Sequence, residues 1–274
     1  ARWVMVQNRN RMQKALASEF DAVVVAAGAC KPRGLGATGF AEGLTSGGVA
    51  YAVDYLTSAT RSVLDGGEPA VDAAGKDVIV IGGGDTGNDC LGTAVRQGAR
   101  SVRQFEFLSC PPQERAAGDA WPQWPNVKKT AYGQTEAIKL MGGEMREWGI
   151  DTLEVLRGED GGVRGLRVVD LDWSHGKPER VERSEREVPA QLVLIVCGFT
   201  GPEKSVFDAF DVGLAQKGRP LPVMATPASH RAAASIGTTP VFAAGDARNG
   251  SSLVVSAMAD ALACAAEVAS TLKL

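Results

Sequence analysis

The chain has 274 residues, of which 45% are hydrophobic and 22% charged, and its net charge is −3. That is the composition of a globular protein with one large or two ordinary domains, and it offers no basic surface for nucleic acid or an anionic membrane. The longest unbroken apolar run, residues 192–197, is too short to span a bilayer, so neither a membrane nor a nucleic-acid partner is expected. The opening Ala-Arg-Trp-Val-Met-Val-Gln has no signal-peptide core and no initiator Met, which leads us to expect a cytoplasmic protein and an internal fragment. Cysteines at 30, 90, 110, 197 and 264 form no C-x-x-C pair. This argues against a metal site, a resident iron–sulfur cluster or a dithiol redox centre, and fits a reducing compartment. His175 and His230 stand in polar, loop-like stretches without partners at metal-site or acid–base spacing.

In chain order, residues 3–6 begin as a strand, 11–20 form a helix, and 21–27 form an apolar strand ending in Ala27-Gly28-Ala29. A Gly/Ala/Thr-rich loop occupies 31–48, a helix 51–64, and a linker with Pro69 residues 66–75. After the unit at 77–107 described next, residues 110–133 are long and irregular, with Trp121 and Trp124 among prolines. They read either as a folded lid or contact surface, or as a packed excursion without chemistry. Residues 136–148 look helical. A meander follows with strands at 152–156, 165–173 and 180–188, then a buried strand at 191–197 and a short helix at 202–210. The chain ends with a strand at 240–246 and a long Ala-rich helix at 252–272, for which Ser251 or Ser252 is a natural N-cap.

The most informative stretch is 77–98. The β-branched run at 78–81 has the signature of a strand buried on both faces. It breaks on Gly82, Gly83 and Gly84, a helix follows from Thr86, and Gly98 suits the left-handed position after a helix. A second strand is expected at 101–107. Glycines 82, 84 and 87 match G-x-G-x-x-G in the strand–turn–helix–strand context that the dinucleotide fingerprint requires. Gly82 permits the turn, Gly84 lets backbone approach a pyrophosphate, and Gly87 lets helix pack on strand. Asp85 and Thr86 open the helix, whose free N–H groups and dipole favour phosphate. Glu106 lies 24 residues after Gly82, near the offset at which an acidic residue binds the adenosine ribose hydroxyls and repels a 2′-phosphate. That favours NADH, whereas Arg103 and Arg115 are near enough in sequence to serve NADPH.

Three strands end in small-residue turns, at Gly28, at Gly198 and at Gly245-Asp246, where ligands of open α/β sheets bind. Asp246 can accept hydrogen bonds from a sugar-like hydroxyl chain, with the helix opening at Leu253 and Val254 aimed at a reduced flavin, or it can be a turn and cap residue.

Ile81-Gly-Gly-Gly-Asp-Thr-Gly-Asn-Asp-Cys90, Arg96-Gln-Gly-Ala99, Pro111-Pro-Gln-Glu-Arg115, Trp121-Pro-Gln-Trp-Pro125, Val241-Phe-Ala-Ala-Gly-Asp-Ala-Arg248 and Ser252-Leu-Val-Val255 together resemble the small (β) subunit, or corresponding C-terminal region, of glutamate synthase. The resemblance runs from about residue 20 to the C-terminus. It implies an α/β flavoprotein of two Rossmann-like three-layer dinucleotide-binding domains of the pyridine nucleotide-disulfide oxidoreductase type. An NAD(P)H domain at 61–199 would be inserted into a partial FAD domain at 1–60 and 200–274. NADH (or NADPH) would be lined by Gly82, Gly84, Asp85, Thr86 and Gly87, and FAD by Gly28, Gly245, Asp246 and Leu253. The family's N-terminal iron–sulfur region and first FAD fingerprint are expected to lie outside this sequence. The partner implied is the large glutamine amidotransferase/glutamate synthase subunit or domain. The resemblance implies an electron-input oxidoreductase in which NAD(P)H gives a hydride to FAD; the flavin would carry the chemistry, so no side chain is expected to act as acid, base or nucleophile. Two other readings stay open: an NAD(P)H-dependent flavin reductase with a different acceptor, and a non-catalytic nucleotide-binding subunit.

Overall fold

The computed structural model describes residues 19–119, 121, 125–215, 221–236 and 238–274. The strand expected at 3–6, most of the helix at 11–20, and Trp124 lie outside those residues. The chain forms two compact units: Gly34–Cys197, and Ala1–Arg33 together with Gly198–Leu274. One unit is therefore inserted in the chain of the other.

The discontinuous unit begins with β1 (Val23–Val25) and β2 (Lys31–Pro32). The inserted unit contains α1 (Phe40–Ser46), β3 (Val49–Tyr51), α2 (Ala52–Asp65), β4 (Asp77–Ile81), α3 (Asp85–Arg96), β5 (Ser101–Glu106), α4 (Tyr132–Met141) and β6 (Arg146–Trp148). It continues through β7 (Ile150–Arg157), β8 (Val163–Asp172), β9 (Glu179–Arg180), β10 (Arg186–Pro189) and β11 (Leu192–Ile195). Back in the first unit come β12 (Phe199–Gly201), α5 (Lys204–Asp208), β13 (Arg231–Ile236), β14 (Thr239–Ala243), α6 (Asp246–Asn249) and α7 (Val254–Leu272).

The inserted unit has three layers. Its centre is a five-stranded parallel sheet in the order β3-β11-β4-β5-β6. Val78 and Val80 of β4, with Leu192 and Leu194 of β11, pack into a core with Tyr55, Leu91 and Ala94 of α2 and α3. Their neighbours Ile79, Ile81, Val193 and Ile195 face Leu166, Val168 and Val188 of the antiparallel sheet β10-β8-β7. Alternate residues thus serve opposite faces, and both faces are covered, which is why these strands read as unbroken apolar runs. One outer layer is an antiparallel sheet rather than helices.

Three expectations change. The first boundary of the inserted unit falls at Arg33/Gly34, not at residue 61. Here β3 pairs with β11, Tyr55 is fully buried, and the Tyr55 hydroxyl donates to Gln97 (2.8 Å). Residues 66–75 form the irregular link expected there, from α2 to β4, and Ala73 within it is buried, its N–H donating to Gln97 (3.0 Å). Residues 31–48 contain a helix, α1, which comes close to β3: a Cβ on Gly43 would meet Val49 at 2.6 Å. Residues 136–148 are not one helix, because α4 stops at Gly142 (φ 82°) and the chain turns into β6, parallel to β5.

In the discontinuous unit β1, β14 and β13 form a sheet, β1 running parallel to β14 and β13 antiparallel. Val241 and Ala243 face a core with Phe207 and Val212, while Phe242 and Ala244 face Cys264 of α7. The strand β13 was missed in the sequence. The long helix expected at 252–272 forms as α7, and its 19 residues are long and apolar enough to cross a membrane. Asp260 and Glu267 of this helix instead hydrogen-bond Gly245 and His230 of its own unit (2.7 Å each). Its N-cap is Leu253, not Ser251 or Ser252, because the Ser252 hydroxyl donates to Asp246 (2.5 Å).

Candidate functional site

The glycine turn leaves β4 at its carboxyl end. Gly82 has φ 118°, and a Cβ there would overlap the Val196 carbonyl, so only glycine fits. Its N–H donates to Phe105 O (2.8 Å). Gly87 lies against the turn it follows: a Cβ would meet Gly82 O at 2.5 Å and Gln104 Nε2 at 2.9 Å. At Gly84 a Cβ would meet nothing within 4 Å, so the turn is open on that side. The first bonds at the helix start are from Gly87 N–H (2.9 Å) and Asn88 N–H (3.1 Å) to Gly84 O. The amides of Gly83, Gly84, Asp85 and Thr86 thus precede the helix ladder, in the position from which such groups bind an anion.

Glu106 closes one side of the turn. It ends β5 beside β4, and its carboxylate folds over Gly83 so closely that a Cβ on Gly83 would overlap it. Burial raises its pKa above the ordinary 4.5. Arg103 pairs with Glu147 (3.7 Å) and Arg115 donates to the Asp119 carbonyl (3.0 Å), each within reach of its own neighbourhood. Trp121 is exposed.

Sequence reasoning missed a buried polar chain behind the turn. Gln104, with no exposed surface, donates through Nε2 to Gly82 O (2.8 Å) and accepts from Gln134 Nε2 (3.1 Å). Gln134 accepts from Arg146 Nη1 (3.2 Å), and its N–H donates to Asn88 Oδ1 (3.0 Å). The available signal was alternation: Gln104 stands two residues after Val102 on the buried side of β5, and a buried polar group is there to be hydrogen-bonded.

The other predicted residues gather in the discontinuous unit. The parallel register Val25↔Ala243 brings Gly28 (φ 72°) and Gly245 (φ 62°) to the same carboxyl edge. Gly198 (φ 75°) precedes β12, whose neighbour is α6, which begins at Asp246. Leu253 and Val254 are 73% and 74% exposed at the opening of α7. Asp260 anchors this edge: it accepts from Gly245 N–H (2.7 Å), Arg248 Nη1 (2.9 Å) and His230 Nε2 (3.1 Å). Among the described residues no cluster of His, Cys, Asp or Glu could hold a metal ion.

No protein-family model matches the chain. It is 39% identical over 257 residues to a glutamate synthase (NADH) of Schizosaccharomyces pombe, covering 91% of this chain and 12% of that protein. It is 39% identical over 266 residues to a glutamate synthase (NADPH) small chain of Bacillus subtilis, covering 92% and 50%. The Mycobacterium tuberculosis small chain matches at 38% over 260 residues, covering 92% and 49%. Among solved structures, Mycobacterium tuberculosis FprA in complex with NADPH aligns with a TM-score of 0.65 at 16% identity, over 95% of this chain and 65% of that one. At that identity the match shows the two-unit α/β fold. Over nearly its whole length the chain is similar to glutamate synthase small chains, and it spans about half of theirs.

Proposed function

We propose that the chain is part of the electron-input arm of a glutamate synthase. A nicotinamide dinucleotide binds with its pyrophosphate against the amides of Gly83, Gly84, Asp85 and Thr86. Gly82 and Gly87 hold the turn, and Glu106 accepts from the adenosine ribose hydroxyls, which favours NADH. Relatives named for NADH and for NADPH both match, so the names leave the preference to Glu106, with Arg115 the residue that would serve a 2′-phosphate. FAD takes the edge formed by Gly28, Gly198, Gly245 and Asp246 and the start of α7 at Leu253 and Val254. When bound, the flavin would supply the acceptor for a hydride from the nicotinamide; the side chains bind and orient, and none is needed as acid, base or nucleophile. Iron–sulfur centres and the rest of the FAD site belong to protein outside these residues. The partner is the large subunit or domain that forms glutamate from 2-oxoglutarate and glutamine-derived ammonia.

The supporting observation is the glycine turn, open at Gly84 and followed by amides not yet engaged in the helix. Gly84→Val tests it cleanly. Gly84 has φ −70° and ψ −178°, which Val adopts, and nothing stands within 4 Å of an added Cβ. The variant should fold, with a melting temperature lowered by a few degrees because Val is a poorer N-cap than Gly, and lose at least about tenfold in nucleotide affinity by calorimetry, since its side chain stands where the pyrophosphate lies. Unchanged affinity would remove the reading. A flavin absorption band that bleaches with NADH in the assembled protein is expected for the electron-input role.

A further inference from the structure

A trans peptide points its N–H opposite to its C=O. The carbonyl of Gly82 and the N–H of Gly83 belong to one such plane, and that plane has glycine on both sides, so little in its own backbone sterics prevents it from turning over. Yet the phosphate-facing direction of the Gly83 amide depends on it. The Gly82 carbonyl is held by a side chain, Gln104 Nε2, at 2.8 Å.

The direction of that amide is fixed from the far end. A guanidinium has only donors, so Arg146 requires the oxygen of Gln134 (3.2 Å), which also accepts from Ala131 N–H (2.9 Å). The nitrogen of Gln134 then faces the oxygen of Gln104 (3.1 Å), and the nitrogen of Gln104 faces Gly82. Arg146 is itself buried and anchored to Glu144 (2.7 Å), Lys129 O (2.6 Å) and Thr130 Oγ1 (3.0 Å). No side chain on α3 could replace Gln104, because Gly87 must stay bare at that point.

We infer that Gln104 is a positioning residue for the nucleotide turn: it pins the Gly82 carbonyl so that the Gly83 amide faces the phosphates, with its polarity set by Arg146 through Gln134. This rests on the nucleotide reading of the turn. It acts on the pyrophosphate rather than the ribose, so it predicts equal losses for NADH and NADPH.

The test compares the wild-type chain with Gln104→Leu and Gln104→Glu, by calorimetry with each nucleotide and by thermal unfolding. Gln104→Leu should weaken both nucleotides by about 10- to 100-fold, leaving their affinity ratio unchanged. Gln104→Glu lacks the donor when ionised and regains an O–H donor when protonated. Its affinity should therefore be weak near pH 8 and recover toward about pH 5.5. Glu106, the Glu144–Arg146 pair and Asp89 are common to both proteins, so the wild-type pH series subtracts their contributions. Wild-type affinity in a folded Gln104→Leu overturns the inference alone. A pH-independent Gln104→Glu overturns it also where Gln104→Leu does not fold. A wild-type chain that binds neither nucleotide removes the nucleotide reading and this inference with it.

Discussion

The two glycine turns at strand ends are held by opposite kinds of chemistry. Behind Gly82 stand neutral amides, Gln104, Gln134 and Asn88, and the charge of Arg146 lies two side chains away. Behind Gly245 stand charges in direct contact. Asp260 meets Gly245 N–H, Arg248 and His230, while Glu267 takes the second ring nitrogen of His230 (3.1 Å), the His230 N–H (2.7 Å) and the Ser229 hydroxyl (2.5 Å). A neutral chain holds its geometry across pH, whereas a charged one ties the shape of the turn to the ionisation of its members.

The largest effect should come from breaking the charged anchor. Asp260→Ala leaves Arg248 and His230 without their shared carboxylate and Gly245 N–H without its acceptor. Removing one partner of a largely buried charge pair costs about 3–5 kcal/mol, to be read as a lowered urea midpoint. The counterpart in the inserted unit is Gly87→Val, which drives a side chain into Gly82 O and Gln104. Overpacking of that kind costs about 1–3 kcal/mol, and nucleotide binding should be lost together with it. If Asp260→Ala proved the milder change, the contrast between charged and neutral anchors would fail.

What the sequence made legible was set by backbone sterics and by burial on both faces. The spacing of Gly82, Gly84 and Gly87 is a steric requirement written in residue identity, and the runs at 78–81 and 192–195 are apolar because layers cover both sides. Illegible parts depend on partners far along the chain. Gln104 gains its meaning from residues 22 positions before and 30 after it. The strand β13, Arg-Ala-Ala-Ala-Ser-Ile, has little strand propensity of its own and exists because β14 pairs with it. The helix expected through 148 ran past Gly142 because Met145 and Trp148 continue a helical spacing, while the sheet edge at β5 claims Arg146–Trp148. The long helix α7 was legible from its Ala-rich run, whereas the His230 and Gly245 partners of Asp260 and Glu267 within it were not.

Acid should loosen the charged members of both regions, by a smaller amount. Hydrogen bonding from Arg146 holds Glu144 down at about 2 against an ordinary 4.5, with burial opposing. A depressed carboxyl contributes stability above its unfolded value that is lost as pH falls through the folded one. Wild type should therefore exceed Glu144→Gln in urea midpoint at neutral pH, and the gap should close as pH drops from about 4.5 toward 2. The Glu144 side chain is 35% exposed, so the gap should stay below about 1 kcal/mol. Asp260 shifts the same way: burial alone would raise it, but hydrogen bonds from Asn249, Gly245 and His230 outweigh that. A gap that widened in acid would contradict the pairing.

Glu106 is the charged exception at the neutral turn, and it should give the smallest change in stability. Burial raises its pKa above 4.5, so the folded chain binds that proton more tightly than the unfolded chain does. The stabilising contribution is complete below the unfolded value and is lost as pH rises through the folded one. At pH 7 the ionised carboxylate over Gly83 is therefore a cost to the free protein. Glu106→Gln should raise the urea midpoint at neutral pH, with the advantage fading as pH falls to about 4.5. In the proposed nucleotide site Glu106 is the ribose acceptor and the charge that opposes a 2′-phosphate, so on that reading Glu106→Gln should shift the affinity ratio of NADH to NADPH toward NADPH. A side chain that destabilises its own fold while sharpening a ligand choice is retained for the ligand. A Glu106→Gln chain that is less stable at pH 7, or equally selective, would make Glu106 a part of the turn's scaffold instead.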